Sequence, residues 1–185
     1  MGACSGTIWS WVPTVAVLPV LPADAPVLHR PAERVRSFDA SLRKLAADMV
    51  ETMHGVNGVG LAAPQVGVSL RLAVIQLPED YANRLAGRLF VLCNPVIERA
   101  WGDFRPAEGC LSLPGYIGYV RRARIVLVRA QNLDGKTYRL PGRGTMAQAL
   151  QHEIDHLDGI LFYDHLASID ELVPAPPGEN GREQI

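Results

Sequence analysis

Residues 151–159 read QHEIDHLDG and lie at the end of a helix that we predict from about Thr145 to Asp158. Gly159 follows as the expected stop, because glycine readily takes the left-handed conformation that ends many helices. Positions four apart share one face of a helix, so His152 and His156 point the same way. Another face carries the apolar stripe that should pack against the core: Met146, Leu150, Ile154 and Leu157.

The histidine pair is a candidate metal site. Two imidazoles at this spacing can supply two of the four ligands of a tetrahedral ion. Glu153 falls between the two faces, where it can reach a water on the ion and act as a general base. The alternative is a solvated helix with two chance histidines, because His-Glu-x-x-His is a short pattern. A metal site therefore requires a third ligand from elsewhere in the chain.

The rest of the chain predicts an α+β fold with antiparallel sheets packed around the late helix. An N-terminal helix should start at Ser37 or Asp39 and end near Gly55, because its apolar residues recur at helical spacing. A glycine-rich loop follows at 58–67. The predicted strands are 71–77, 89–95 ending at a proline, and a hairpin of 123–132 and 137–142 that turns at Asp134-Gly135. Strands do not alternate with helices, which argues against a parallel sheet.

The 185 residues suit one domain with one sizeable core. We expect an N-terminal extension at 1–16, a catalytic domain at 17–170 and a flexible tail at 171–185, which is polar and rich in proline and glycine. The apolar run near the N-terminus is too short and too broken by proline to span a bilayer. The net charge of −1 gives no case for binding nucleic acid or an anionic membrane.

The three cysteines have different expected roles. An odd, sparse set is no disulfide framework and fits a reducing cytosol, so we expect a cytoplasmic protein. Cys93 lies in an apolar strand and reads as a small buried residue. Cys110 lies in EGCLS (108–112), a polar stretch that we do not expect to be a buried strand. As a thiolate it is the best candidate for the third ligand.

Three stretches together resemble the peptide deformylases: GVGLAAPQ (58–65), EGCLS (108–112) and QHEIDHLDG (151–159). The resemblance extends from about Val17 to Leu166. It implies that Cys110, His152 and His156 bind one divalent metal whose water attacks a formyl carbon. It also implies that Glu153 takes and returns the proton, and that Gln65 and the Leu111 N–H bind the oxygen of the formyl group.

The resemblance also implies an activity and partners. The family removes the formyl group from the N-terminal methionine of newly made proteins and releases formate. Fe²⁺ is the metal expected in the cell, with Zn²⁺, Ni²⁺ or Co²⁺ as alternatives, since a Cys-His-His set suits several of these ions. The expected partners are formyl-methionyl nascent peptides, with transient ribosome contact as a further expectation. The oligomeric state stays open.

The substrate pocket should be apolar, because it receives a thioether side chain. By resemblance, Val59 and Gly60 line the cleft. Ile117 stands where some family members carry arginine, and it joins Leu150 and Ala149 as a candidate for the pocket. Glu108 is expected to pair with Arg122 and hold the cysteine segment in place. We expect Asp155 and Asp158 to be solvated helix charges, and Gln151 either to bond near the site or to face solvent.

Two other classes of protein compete with this interpretation. A zinc endopeptidase would need a third ligand after the helix, and His165 and Glu171 are the candidates there. A non-catalytic module stabilised by a metal would normally close its site with four protein ligands, and only three are convincing. It would also have no use for Glu153.

Overall fold

A computed structural model of the chain describes residues 15–79 and 81–176. The expected extension at 1–16 lies mostly outside the described residues. Within these residues, two α-helices and eight strands follow in this order: α1 Ala40–Gly55, β1 Gly60–Ala62, β2 Leu72–Ile75, β3 Phe90–Trp101, β4 Ala107–Cys110, β5 Leu113–Tyr119, β6 Ile125–Gln131, β7 Thr137–Arg143, α2 Thr145–Asp158 and β8 Val173–Pro174. This confirms the predicted α+β class with an early and a late helix.

The strands form two antiparallel sheets. The larger sheet has the order β1-β2-β3-β6-β7, and the smaller one has the order β4-β5-β8. The predicted hairpin is the β6-β7 pair, and Gly135 in its turn has the positive φ of 75° that favours glycine. Among the described residues, no helix is long and apolar enough to cross a membrane.

Strand β2 is buried on both faces, which explains its unbroken apolar sequence. Because side chains alternate along a strand, Leu72 and Val74 join one core cluster and Ala73 and Ile75 join the other. The first cluster contains the apolar side of α1, and the second contains the apolar stripe of α2. The larger sheet therefore separates the two helices.

Asp39 begins α1 as predicted. Its carboxylate accepts hydrogen bonds from the backbone N–H groups of Ser41 and Leu42, at 2.9 and 3.1 Å. These bonds satisfy two of the donors that a helix start leaves unpaired. Gly159 ends α2 with a φ of 76°, which confirms its expected role.

Two expectations about strands were wrong. β3 does not end at Pro95, because a bulge between Cys93 and Val96 admits the proline and the strand continues to Trp101. Cys110 lies in a buried strand, β4, and not in a polar loop. The expected tail at 171–185 stays a prediction: its first residues, 171–176, include β8, which pairs with Tyr116 and Ile117 of β5, and 177–185 lie outside the described residues.

Candidate metal centre and active site

The site forms where α2 meets the end of β4 and the turn after β1. His152, Glu153 and His156 come from the buried face of α2, and Cys110 is the last residue of β4. Gln65 lies in the 3-10 turn Ala63–Val66. All five side chains are buried. Sequence positions 65, 110 and 152–156 are thus brought together by the two sheets.

Cys110, His152 and His156 each point one ligand atom at a common point. These three atoms lie within 4.8 Å of one another, and no other group of three metal-binding side chains is found in the described ranges 15–79 and 81–176. The Cys110 Sγ lies 3.2 Å from His156 Nε2. A thiolate and two imidazoles are the donors that Zn²⁺ and Fe²⁺ accept, so the residues fit a metal ion.

The nitrogen atoms of His152 have distinct environments. Its Nδ1 lies 3.2 Å from Glu108 Oε2, and an ionised carboxylate only accepts hydrogen bonds, so Nδ1 carries the proton. Its Nε2 then holds a lone pair, and this buried atom has no hydrogen-bond partner among the described residues. A buried acceptor without a partner is costly unless an ion fills the role. This atom is therefore prepared to ligate a metal.

The thiol of Cys110 is held in its charged form. Burial disfavours the thiolate, but the attraction of the adjacent His156 and His152 imidazoles and the contact with His156 Nε2 outweigh it. The pKa of Cys110 therefore lies well below its ordinary value of 9.0. Cys93 shows the contrast, because burial alone raises the pKa of its thiol to about 11. Of the two cysteines in the described ranges, only Cys110 has the electrostatic setting of a metal ligand.

Gln65 presents its amide N–H groups to the site. Its Oε1 accepts the Ala62 backbone N–H at 2.8 Å, so the amide cannot be reversed. Its Nε2 consequently faces the Cys110 sulfur at 3.5 Å and the Ser112 hydroxyl at 3.3 Å. The Leu111 backbone lies next to Cys110, in the two-residue turn between β4 and β5. These neutral donors lie beside the cluster, where an oxygen atom could develop negative charge.

Glu153 lies beside the cluster without a hydrogen-bond partner. Both carboxylate oxygens are buried and unpaired among the described residues. Burial raises the pKa of Glu153 to about 7, against the opposing attraction of the two histidines. A methyl group built on Gly60 would overlap the Glu153 carboxylate. The missing side chain at Gly60 therefore provides the space that this carboxylate fills.

An ion-pair network supports the histidine. Arg122 donates to both oxygens of Glu108, at 2.7 and 2.8 Å, and Glu108 in turn accepts from His152. Burial disfavours the charge of Glu108, but Arg122 and His152 keep its pKa below the ordinary value. Asp155 was wrongly expected to be solvated, because it bonds Arg122 at 2.6 Å and His165 at 2.7 Å. Helix periodicity gave no sign of these partners.

The other sequence-predicted residues are dispersed. Ile117 lines a cavity next to Cys110, whereas Val59, Ala149 and Leu150 belong to the hydrophobic core. Leu150 packs against Gly142 of β7 and does not reach that cavity. Gln151 accepts from the Ala123 backbone N–H at 3.0 Å. Asp158 is exposed and pairs with Arg71.

The residues proposed for the competing classes do not join the cluster. His165 bonds Asp155, and Glu171 forms an ion pair with Arg105 at 3.1 Å. Neither residue belongs to the group of converging ligand atoms in the described chain. An α+β fold with a Cys-His-His cluster, a buried glutamate and a neighbouring glutamine is the arrangement of a metal-dependent hydrolase.

Comparison with known proteins defines the family. The polypeptide deformylase family matches residues 17–171. A peptide deformylase of Dehalococcoides mccartyi is 46% identical over 160 residues, which cover 86% of this chain and 92% of that relative. The chain belongs to the peptide deformylase family, metal-dependent hydrolases that remove N-terminal formyl groups from nascent peptides.

Solved structures agree with this assignment. The crystal structure of a peptide deformylase from Legionella pneumophila is 42% identical with a TM-score of 0.78, covering 84% of this chain and 89% of that one. A deformylase from Acinetobacter baumannii with Met-Ala-Ser bound is 34% identical with a TM-score of 0.76, covering 82% of this chain and 99% of that one.

Proposed function

We propose that the chain hydrolyses the formamide of N-terminal formyl-methionine with Cys110, His152 and His156 holding one divalent ion. The observation that carries this proposal is the convergence of the three ligand atoms within 4.8 Å, next to the unpaired carboxylate of Glu153. When bound, such an ion supplies a nucleophile at neutral pH and polarises a carbonyl oxygen. The peptide Met-Ala-Ser, bound in the Acinetobacter relative, is the product expected from formyl-Met-Ala-Ser.

Glu153 is the proposed general base and acid. Its carboxylate takes a proton from the attacking water and returns it to the leaving amine as the C–N bond breaks, giving formate and a free N-terminus. A pKa of about 7 suits a group that must both accept and donate a proton near neutral pH.

Gln65 and the Leu111 N–H are the proposed donors to the formyl oxygen. Charge on this oxygen grows as the carbonyl becomes tetrahedral, and donors already in place stabilise it without reorganisation. The bond from Ala62 fixes the Gln65 amide for this purpose. We expect Gln65→Leu to lower kcat by about 10²–10³-fold while the metal stays bound. Ser112→Ala, which removes another neighbour of the same amide, is the control and should change kcat far less.

We infer that Fe²⁺ is the ion in the cell and that the reaction takes place in the cytoplasm. A thiolate with two imidazoles suits Fe²⁺ and Zn²⁺, and Ni²⁺ or Co²⁺ can take the same donors after purification. The substrates are formyl-methionyl nascent peptides, and transient contact with the ribosome stays a prediction. Protein purified without oxygen and reconstituted with each ion separately would rank their activities, and equal activity with all four would contradict a preference for Fe²⁺.

The deciding experiment measures formate released from formyl-Met-Ala-Ser by the chain and by Glu153→Ala. Release that disappears in the variant, with one metal per chain in both proteins, supports the proposed role of Glu153. Release that persists in Glu153→Ala would exclude this residue as the base. Cys110→Ala separates the proposal from an endopeptidase, because it should abolish metal binding only if Cys110 is a ligand.

A further inference from the structure

A cavity of 380 Å³ opens beside Cys110 and Leu111. Its walls come from distant parts of the chain: Val56 after α1, the first half of β5, and Ala175 after β8. Cys110 and Leu111 belong to the proposed reaction site, so the cavity borders the place where the formyl group would react. A peptide whose N-terminus lies at Cys110 can therefore continue into this space.

The segment after α2 is anchored where it reaches the cavity. Leu172 packs against the core cluster that contains Cys110 and Phe162. Val173 and Pro174 form β8, and the Ala175 N–H donates to the Gly115 carbonyl at 2.9 Å. Backbone bonds to β5 thus hold Ala175 in the wall, although the sequence 171–185 reads as a flexible tail.

We propose that this C-terminal strand forms the outer wall of the peptide-binding cleft and that Ala175 determines specificity for residues after the formyl-methionine. The inference rests on the proposed function of the same site. Apart from the Cys110 thiolate at its inner end, the described residues that line the cavity are uncharged, and its side chains include Val56, Leu113, Ile117 and Ala175. The wall therefore favours uncharged residues at the position that enters the cavity, because a charged group would lose its hydration there.

The test places a charge at position 175, so that the cleft should come to favour substrate residues of the opposite charge. The substrates are formyl-methionyl tripeptides with Ser, Lys or Asp at the second or the third position. Ala175→Asp should raise the ratio of kcat/KM for Lys over Asp about tenfold at one of these positions, and Ala175→Lys should lower it by a similar factor. The change should appear in KM, because Ala175 does not touch the reacting atoms.

Ile169 offers a matched control on the same segment. It is 62% exposed and does not line the cavity. Ile169→Asp and Ile169→Lys add the same charges and should leave the ratios within about twofold of the unaltered chain, since exposed charges at a distance are screened. Equal shifts at both positions would overturn the proposal, because they would reflect overall charge and not a wall of the cleft.

A neutral variant keeps the test decisive if the charged ones fail to fold. Ala175→Leu fills part of the cavity and should raise the preference for Gly over Leu after the methionine about tenfold. Unchanged ratios in the folded Ala175 variants, with formate still released, would overturn the proposal. Failure of the unaltered chain to release formate from every peptide would overturn the proposed function as well, and this outcome is recognised without any variant.

Discussion

Gly60 and Glu153 occupy neighbouring positions that leave room for only one side chain. The φ of Gly60 lies outside the left-handed region, so its backbone alone would accept alanine. The added methyl group would nevertheless overlap the Glu153 carboxylate and approach its Cγ at 3.1 Å. We interpret Gly60 as a residue that positions Glu153, in addition to its expected contact with the peptide backbone.

Gly60→Ala is expected to lower kcat much more than it raises KM. The displaced carboxylate cannot reach its proton, whereas the backbone N–H and C=O at position 60 are kept. Crowding in a packed site also costs about 1–3 kcal/mol of the free energy of unfolding. Steady-state kinetics on formyl-Met-Ala-Ser and chemical denaturation measure the two effects.

The control is the same substitution without the glutamate. In a Glu153→Ala background, Gly60→Ala should no longer destabilise the chain, because the space is free. Gly55→Ala adds a methyl group with no heavy atom within 4 Å of it and should leave kcat unchanged. An equal loss of stability from Gly60→Ala in both backgrounds would show that Glu153 is not the group it displaces.

The segment that contains Arg30 and Ala32 contacts the C-terminal end of α2 and fixes its position. Gly159 has a positive φ, and a Cβ atom there would lie 2.6 Å from the Arg30 backbone. The Ala32 N–H donates to the Leu157 carbonyl at 2.9 Å, so the two segments cross in close contact. The histidines of α2 therefore depend on a crossing that involves residues more than a hundred positions earlier.

We expect Gly159→Ala to destabilise the fold by about 3 kcal/mol or more, since left-handed backbone strain adds to a clash with the main chain, which cannot rotate away. Thermal and denaturant unfolding measure the loss. Gly67→Ala is the matched control, because Gly67 has a similar left-handed backbone (φ 82° and ψ 6°, against φ 76° and ψ 28° at Gly159) but its Cβ would meet only Leu21, at 3.6 Å. Similar losses for both variants would assign the effect to backbone strain alone.

The Arg122 network connects β4 and α2. Arg122→Met should cost about 3–5 kcal/mol of the free energy of unfolding, because it leaves the buried carboxylate of Glu108 without its cation. Loss of the support for His152 should also weaken metal affinity about 10–100-fold, measured by competition with a chelator.

Arg129 supplies the comparison for this prediction. Its pair with Glu98 lies near the surface, with 40% of the arginine side chain exposed. Arg129→Met should cost no more than about 1 kcal/mol and leave metal affinity unchanged. If folded Arg122→Met binds metal with unchanged affinity, the ion pair does not support the metal site.

Local signals predicted some elements well and missed others. The helix that begins at Asp39 and the turn at Gly135 were predicted because a cap and a turn are encoded by adjacent residues. The small sheet was missed, since β4 and β8 are short and β8 pairs with β5, far earlier in the chain. Asp155 was misjudged for a similar reason: its partner Arg122 is 33 positions away. The proposed metal ligands were predicted from the motifs and the family resemblance, and the structure brings their ligand atoms together, whereas Ala175 had no such signal.

At the scale of the whole molecule, the site joins segments that are distant in sequence. An ion that binds the folded chain but not the unfolded chain raises the free energy of unfolding. The increase is about 2.7 kcal/mol at a free ion concentration 100 times the dissociation constant. We expect chelation to lower the melting temperature and added metal to restore it. Glu153→Ala should keep this dependence on metal, whereas Cys110→Ala should lose it. If adding or removing metal does not change the melting temperature of the unaltered chain, that result would contradict a site built from these three ligands.

The separation of Cys110 from His156 by 46 positions has a consequence for the motions of the folded chain. An ion bound by both residues would act as a reversible cross-link that closes a long loop. While the ion stays bound, the β4-β5 hairpin could not separate from α2. Amide hydrogens of the hairpin should then exchange with solvent only when α2 opens at the same time. Without the ion, the hairpin should open as a separate cooperative unit, while the amide hydrogens of β2 should still exchange slowly.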